Sequence, residues 1–105
     1  MSFPEQMMVA NAYMQARLVS KNAECLSLVT DDVKLHSERD GNINGKSSFS
    51  KYLSTVHPQG KWQAPTVENG KVVIRGTVKI CLIPVPVKAV FEFRGKQISG
   101  ISIGR

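Results

Sequence analysis

One segment, Leu26 to Leu53, restricts the fold more than any other part of this chain. It reads LSLVTDDVKLHSERDGNINGKSSFSKYL: an apolar helix end, the paired acids Asp31-Asp32, a short strand, a Gly/Asn turn and a helix start at Gly45-Lys46. Helical periodicity lies ahead of it, and after residue 60 every segment reads as strand. Helices gathered first and a meandering antiparallel sheet after them predict an α+β layer arrangement, not an alternating βαβ one.

The first helix starts on a capping box, Ser2 with Glu5, and Pro4 sits in its first turn. Phe3, Met7, Ala10, Met14 and Leu18 then recur at helical spacing, which predicts one buried stripe. The helix ends near Val19-Ser20. Ser20 or Asn22 caps a short second helix running through Val29, with Cys25, Leu28 and Val29 buried. Val33, Leu35 and Ser37 alternate with Lys34, His36 and Glu38, the period of a half-buried strand. Asp40-Gly41-Asn42 is a turn, and Ile43 marks a brief return strand. Asn44 or Gly45 caps a third helix through Val56 that buries Phe49, Leu53 and Val56, and His57-Pro58-Gln59-Gly60 closes it.

The second half is read from turn chemistry. Lys61 to Glu68 is one strand, and Asn69-Gly70 is a two-residue hairpin turn. In Lys71 to Leu82, Val72, Ile74, Val78 and Ile80 share one face and Arg75, Thr77 and Lys79 the other. Pro84 and Pro86 lack the N–H a central ladder needs, which predicts a strand edge or a wide bend. Val87 to Arg94 and Gln97 to Ile103 form a last hairpin around Gly95-Lys96.

A chain of 105 residues is one domain. It buries roughly 65% of the surface its unfolded form exposes, enough for a core without staples. Its net charge of +6 is uneven: residues 1–40 carry −2 and residues 41–105 carry +8. The lysines of the basic half stand singly, never as a run, which predicts solvated strand faces and turns and makes a nucleic-acid partner the weakest of the readings. Cys25 and Cys81 match no metal, haem or redox spacing, and both are expected to be reduced core or sub-surface residues. No charged head and apolar run of a signal peptide is present, and the longest apolar stretch, Ile80 to Val87, is too short to span a bilayer. A soluble cytoplasmic protein with no membrane contact is the expectation.

The chemistry-bearing residues make no complete catalytic set. Gly41 to Gly45 has three residues between its glycines where a phosphate loop needs four, so Gly45-Lys46 reads as a helix start. His36 and Glu38 are a surface pair on the strand face opposite Leu35, His57 sits at a helix end where the dipole favours a cation, and no metal site follows from two histidines. No Ser or Cys stands at motif spacing from a His and a carboxylate. Asp31-Asp32, between a helix end and a strand, read as turn-forming and solvated.

The order of elements resembles the nuclear transport factor 2-like superfamily, which includes SnoaL-like cyclases and steroid delta-isomerases. The local patterns that carry the resemblance are the first helix, Asn22-Ala23-Glu24, the exit from Leu26 to Asp32, the strand Val33 to Ser37 and the Gly45-Lys46 helix start. It implies a cone, a strongly curved antiparallel sheet (a cystatin-like roll) wrapped around the first helix with a pocket at its open end. It also implies a homodimer paired through the sheets. Steroid isomerases pair a general-base Asp with a Tyr and a protonated Asp. On this chain the resemblance puts the tyrosine at Tyr13, the base at Ser37 and the second acid near Ala89, so only the tyrosine is kept.

The sequence thus predicts a small-molecule-binding protein, or a degenerate enzyme, with no complete catalytic set, cofactor or metal. Its pocket would be lined by Tyr13, Met14, Ser37, Phe49 and Trp62, chosen by predicted facing and by the Tyr13 and Ser37 correspondences. A hydrophobic small molecule is the expected ligand. The alternative is an association module that forms a homodimer through the outer sheet face, at Val73, Arg75, Thr77 and Lys79.

Overall fold

The computed structural model of the chain describes residues 2–56 and 60–105. The predicted closure of the third helix at His57-Pro58-Gln59, and the place of His57, lie outside the described residues. Helix α1 spans Phe3–Leu18 and starts as its capping box predicts: the Ser2 hydroxyl accepts the Glu5 N–H at 3.4 Å, with Pro4 in the first turn. It buries Ala10, Tyr13, Met14, Ala16 and Arg17, while Phe3 and Leu18, expected on the same stripe, are exposed at its two ends. Helix α2 (Asn22–Ser27) is capped from Lys21 without a side-chain bond, not from Ser20 or Asn22, and it buries Cys25.

Strand β1 covers Val29–Ser37, so Val29 and the acids belong to a strand, not to a helix end and turn. β-Branched Val29 and Thr30 favour extended backbone. The Ile98 N–H donates to Leu28 O at 2.8 Å and fixes the strand's start. β1 pairs with the last strand at Val29 and again from Lys34, with an irregularity between. Asp31 and Asp32 sit in that irregularity, exposed, and are tied to Lys46 at 3.4 Å and Arg94 at 2.9 Å. Strand β2 (Gly41–Asn44) returns along β1. Gly45, at φ +87°, then opens helix α3 (Lys46–Thr55), which buries Phe49, Tyr52 and Leu53.

The expected strand Lys61 to Glu68 is two strands, β3 (Lys61–Trp62) and β4 (Thr66–Glu68), parted around Pro65. Both pair with β5 (Lys71–Ile80). The Asn69-Gly70 turn has φ positive at both residues, as a type I′ hairpin requires. β6 (Ile83–Arg94) and β7 (Gln97–Gly104) complete the sheet. Pro84 and Pro86 lie inside β6, opposite Lys79 and Thr77. In a two-residue hairpin Ile80 and Ile83 form the hydrogen-bonded pair, so Lys79/Pro84 and Thr77/Pro86 fall on non-bonded positions. The prolines therefore present their missing N–H to the other side of β6, where pairing with β7 begins only at Lys88. The connection before them is a tight turn at Cys81-Leu82, with φ +51° and +69°, and Cys81 is exposed there, not buried in a strand.

The strands follow the order β2-β1-β7-β6-β5-β3, with β4 also on β5, in a curved, unclosed sheet. All pairings are antiparallel except β1 with β7, which is parallel because the long excursion from β1 to β7 returns in the same direction. On the inner face Ile43, Leu35, Ile101, Phe91 and Val72 stand in one register row, and Ser37, Ile103, Ala89 and Ile74 in the next. Most of these join α1 and α3 in the core, where each large apolar side chain contributes on the order of 1.5–3 kcal/mol by leaving water. Among the described residues, no helix is long and apolar enough to cross a membrane.

Candidate functional site

A cavity of about 330 Å³ remains between α1, the C-terminal half of α3 and the inner face of the sheet. The sheet supplies Ser37, Ala89, Phe91, Ile101 and Ile103 from its middle, with Val78, Val85 and Val87 from the β5–β6 hairpin. Helix α1 supplies Tyr13, Met14 and Arg17, and α3 supplies Tyr52. The inner surface is thus mostly aliphatic and aromatic. The polar groups gather at Ser37–Asp40, Lys79 and Arg105, and on the helical wall at Tyr13 and Arg17.

Four of the five predicted pocket residues line this cavity. Tyr13 is 4% exposed and its ring packs edge-on against Phe91, with centroids 6.0 Å apart at 73°. Burial pushes its phenol well above the ordinary tyrosine range, outweighing the neighbouring Arg17 guanidinium. Met14 lies one residue further along α1. Ser37 is buried at the end of β1, where its hydroxyl accepts the Arg39 and Asp40 N–H groups, each at 3.2 Å, and donates to Asp40 Oδ2 at 3.4 Å. Its oxygen is therefore engaged in forming the turn. Trp62 reaches the cavity from β3, held against Gly76 of β5.

Phe49 does not line the cavity. It is fully buried behind Tyr13, with ring centroids 6.3 Å apart, and Tyr52 one turn of α3 later takes the lining position. Glu38 also departs from expectation. Regular pairing along β1 stops at Ser37, so strict alternation no longer applies, and Glu38 turns to the cavity rim. Its carboxylate accepts the Arg105 N–H at 3.1 Å and lies against Gly104, where a Cβ would fall 2.3 Å from Oε1. Asp40, held by Arg39 at 3.1 and 3.2 Å, is the second rim acid. The strand pattern placed Glu38 on the outer face because it carried the alternation past Ser37, whereas Glu38 and Asp40 both belong to the turn that follows β1.

Arg17 is a buried cavity-lining residue that sequence reasoning missed. It is 4% exposed, its Nη1 donates to Leu53 O at 3.5 Å, its Nη2 donates to Val56 O, and its guanidinium carbon lies 5.2 Å from the centre of the Tyr52 ring. The signal was present: Arg17 follows Ala10 by seven residues, Tyr13 by four and Met14 by three, so it continues the buried face of α1. Of the residues expected at a dimer seam, Val73 is buried within the single chain, Arg75 is paired with Glu68 at 2.9 Å, Thr77 is exposed, and Lys79 lies at the cavity rim.

No protein-family model matches the chain, and no curated protein matches it. Solved structures do. An uncharacterised cystatin-fold protein from Novosphingobium aromaticivorans superposes with a TM-score of 0.77 at 20% identity, over 94% of this chain and 97% of that one. A nuclear transport factor 2-like protein of unknown function from Cytophaga hutchinsonii gives 0.77 at 6% identity, over 91% and 85%. A protein with a ketosteroid isomerase-like fold from Catenulispora acidiphila, solved in complex with trimethylamine, gives 0.71 at 15% identity, over 92% and 84%. The fold of this chain is the one these cystatin-fold and nuclear transport factor 2-like structures share. At these identities the fold is what is shared.

Proposed function

We propose that this protein binds a small, largely apolar molecule in the cavity between α1, α3 and the sheet. The observation that carries the reading is the cavity itself: about 330 Å³ left open inside a well-packed domain, apolar within and polar at its rim. Close-packed interiors do not keep such a space without cost, and ligand sites of this size combine apolar walls with a few placed polar groups. Binding without turnover is favoured because the Ser37 hydroxyl is engaged by the Arg39 and Asp40 amides, and the rim acids are held by Arg39 and the Arg105 N–H. Trp62 at the cavity wall is the reporter. An apolar ligand should quench or shift its fluorescence, and silence across a broad hydrophobic library would defeat the proposal.

A second reading, a homodimer through the outer sheet face, has its own observation. Asn42, His36, Ser102, Val90 and Thr66 stand in one register row that crosses six strands through the buried Val73, and none carries a fixed charge. Such a row supports face-to-face pairing of two sheets. Ser102 is exposed at its centre. The Ser102→Arg variant should then sediment as a monomer where the parent sediments as a dimer; a monomeric parent would remove the idea.

A further inference from the structure

We infer that the ligand of this cavity is a monoanion, an otherwise apolar molecule whose carboxylate is taken up by Arg17. The inference rests on the cavity being a binding site. Its basis is the unusual position of the Arg17 charge. A guanidinium withdrawn from water needs an anionic partner or several well-placed acceptors to offset its lost hydration. Arg17 has the two main-chain carbonyls at the end of α3, the face of Tyr52 and the neutral phenol of Tyr13, none of them an anion. No carboxylate among the described residues lies within ion-pair distance of it, and His57, Pro58 and Gln59 contain none. Its bonds to Leu53 O and Val56 O use two N–H groups of the five a guanidinium carries.

The charges around the cavity point the same way. Arg17, Arg39, Lys79 and Arg105 line it against two acids, Glu38 and Asp40. Asp40 is consumed by Arg39, and Glu38 is bonded to the Arg105 N–H at the rim. An anion entering the cavity therefore meets a positive field and one buried cation with free donor capacity. A carboxylate fits better than a phosphate monoester. The planar fork of arginine matches two carboxylate oxygens, whereas a dianion would call for several cationic donors converging on it. The walls beyond Arg17, with Met14, Val87, Phe91 and Ile101, suit the apolar remainder.

The test is a headgroup series at constant chain length: octanoate, 1-octanol and octylammonium titrated into the full chain by isothermal calorimetry at neutral pH. Octanoate should bind at least tenfold more tightly than octanol, and octylammonium most weakly. In Arg17→Met the ratio of octanoate to octanol affinity should fall to near one. Octanol or octylammonium binding as tightly as octanoate to the parent protein overturns the inference and leaves the cavity reading standing. A preference for octanoate that survives in Arg17→Met also overturns it, because the rim cations would then be its source. Binding of none of the three, together with silence in the hydrophobic library, overturns both. If Arg17→Met does not fold, the rim variants Lys79→Met and Arg105→Met carry the comparison: a parent preference for octanoate that both variants keep supports Arg17, and one that they abolish overturns the inference.

Discussion

Trp62 rests directly on Gly76, its cross-strand partner: a Cβ on Gly76 would lie 2.5 Å from the indole Cε3 and 2.8 Å from the Lys61 carbonyl oxygen. The absence of a side chain at residue 76 is thus what lets the only tryptophan reach the cavity wall. The Gly76→Ala variant should displace the indole and lose about 1–3 kcal/mol of stability, the usual range for forcing extra volume into a packed site. Urea unfolding and the Trp62 emission maximum check this together. An unshifted spectrum at unchanged stability would contradict the contact.

Tyr13 gives the protein an alkaline limit. Its phenol has an ordinary value of 10.0 in the unfolded chain and a raised one in the fold, chiefly because burial disfavours the charged form. Above pH 10 the unfolded state has released this proton while the native state still holds it, so unfolding gains on folding as pH rises. Stability should be unaffected by Tyr13 below that value and then fall by about 1.4 kcal/mol per pH unit from this one group. Denaturant melts between pH 8 and 11.5, with Tyr13→Phe as the control that lacks the slope, measure it.

The two thiols should behave differently. Cys25 is fully buried, its Sγ 3.8 Å from Tyr13 O, and burial pushes its thiol up; Cys81 is exposed at a hairpin tip. Reaction with a disulfide reagent under native conditions should release one equivalent promptly, assigned to Cys81 by its loss in Cys81→Ser. The second equivalent should appear only on unfolding. Two prompt equivalents would mean that the Cys25 pocket opens readily.

The Cys81-Leu82 turn is a poor sequence in its own geometry. Both residues hold positive φ, and Leu82 is 88% exposed. L-residues with a Cβ disfavour that region by roughly 1–2 kcal/mol each. Replacing the pair with Asn-Gly, the preferred type I′ sequence, should stabilise the protein by about 1–2 kcal/mol and leave the sheet register unchanged. Thermal melting and amide exchange along β5 and β6 test both parts.

The sites of agreement and disagreement between sequence and structure have a common physical cause. The Ser2/Glu5 cap, the Asn69-Gly70 and Gly95-Lys96 hairpins, the Gly45 helix start and the inward Ser37 were all legible, because each is set by a few neighbouring residues. Turn chemistry, capping and a period of two act locally. Errors arose where local signals competed. Asp31-Asp32 look like a turn, yet β-branched flanks and pairing with Ile98 draw them into β1. Pro84 and Pro86 look like a break, yet an open strand side makes them harmless.

The cavity was only partly visible for a different reason. Sequence periodicity by itself determined that α1 and α3 each bury one face, that the second half is a meander and that Met14 and Ser37 face inward, whereas Tyr13 was indicated by the resemblance to steroid isomerases. Which part of a buried face meets solid core and which meets open space depends on how the sheet curves past the helices, and no local pattern records that. Tertiary structure alone therefore decided that Phe49 packs behind Tyr13 while Tyr52 lines the cavity, that β1 runs parallel to β7, and that Glu38 and Asp40 form the rim. It also decided the position of Arg17. The helical spacing places it beside Tyr13 and Met14, but only the approach of the end of α3 gives its guanidinium two carbonyls and a ring.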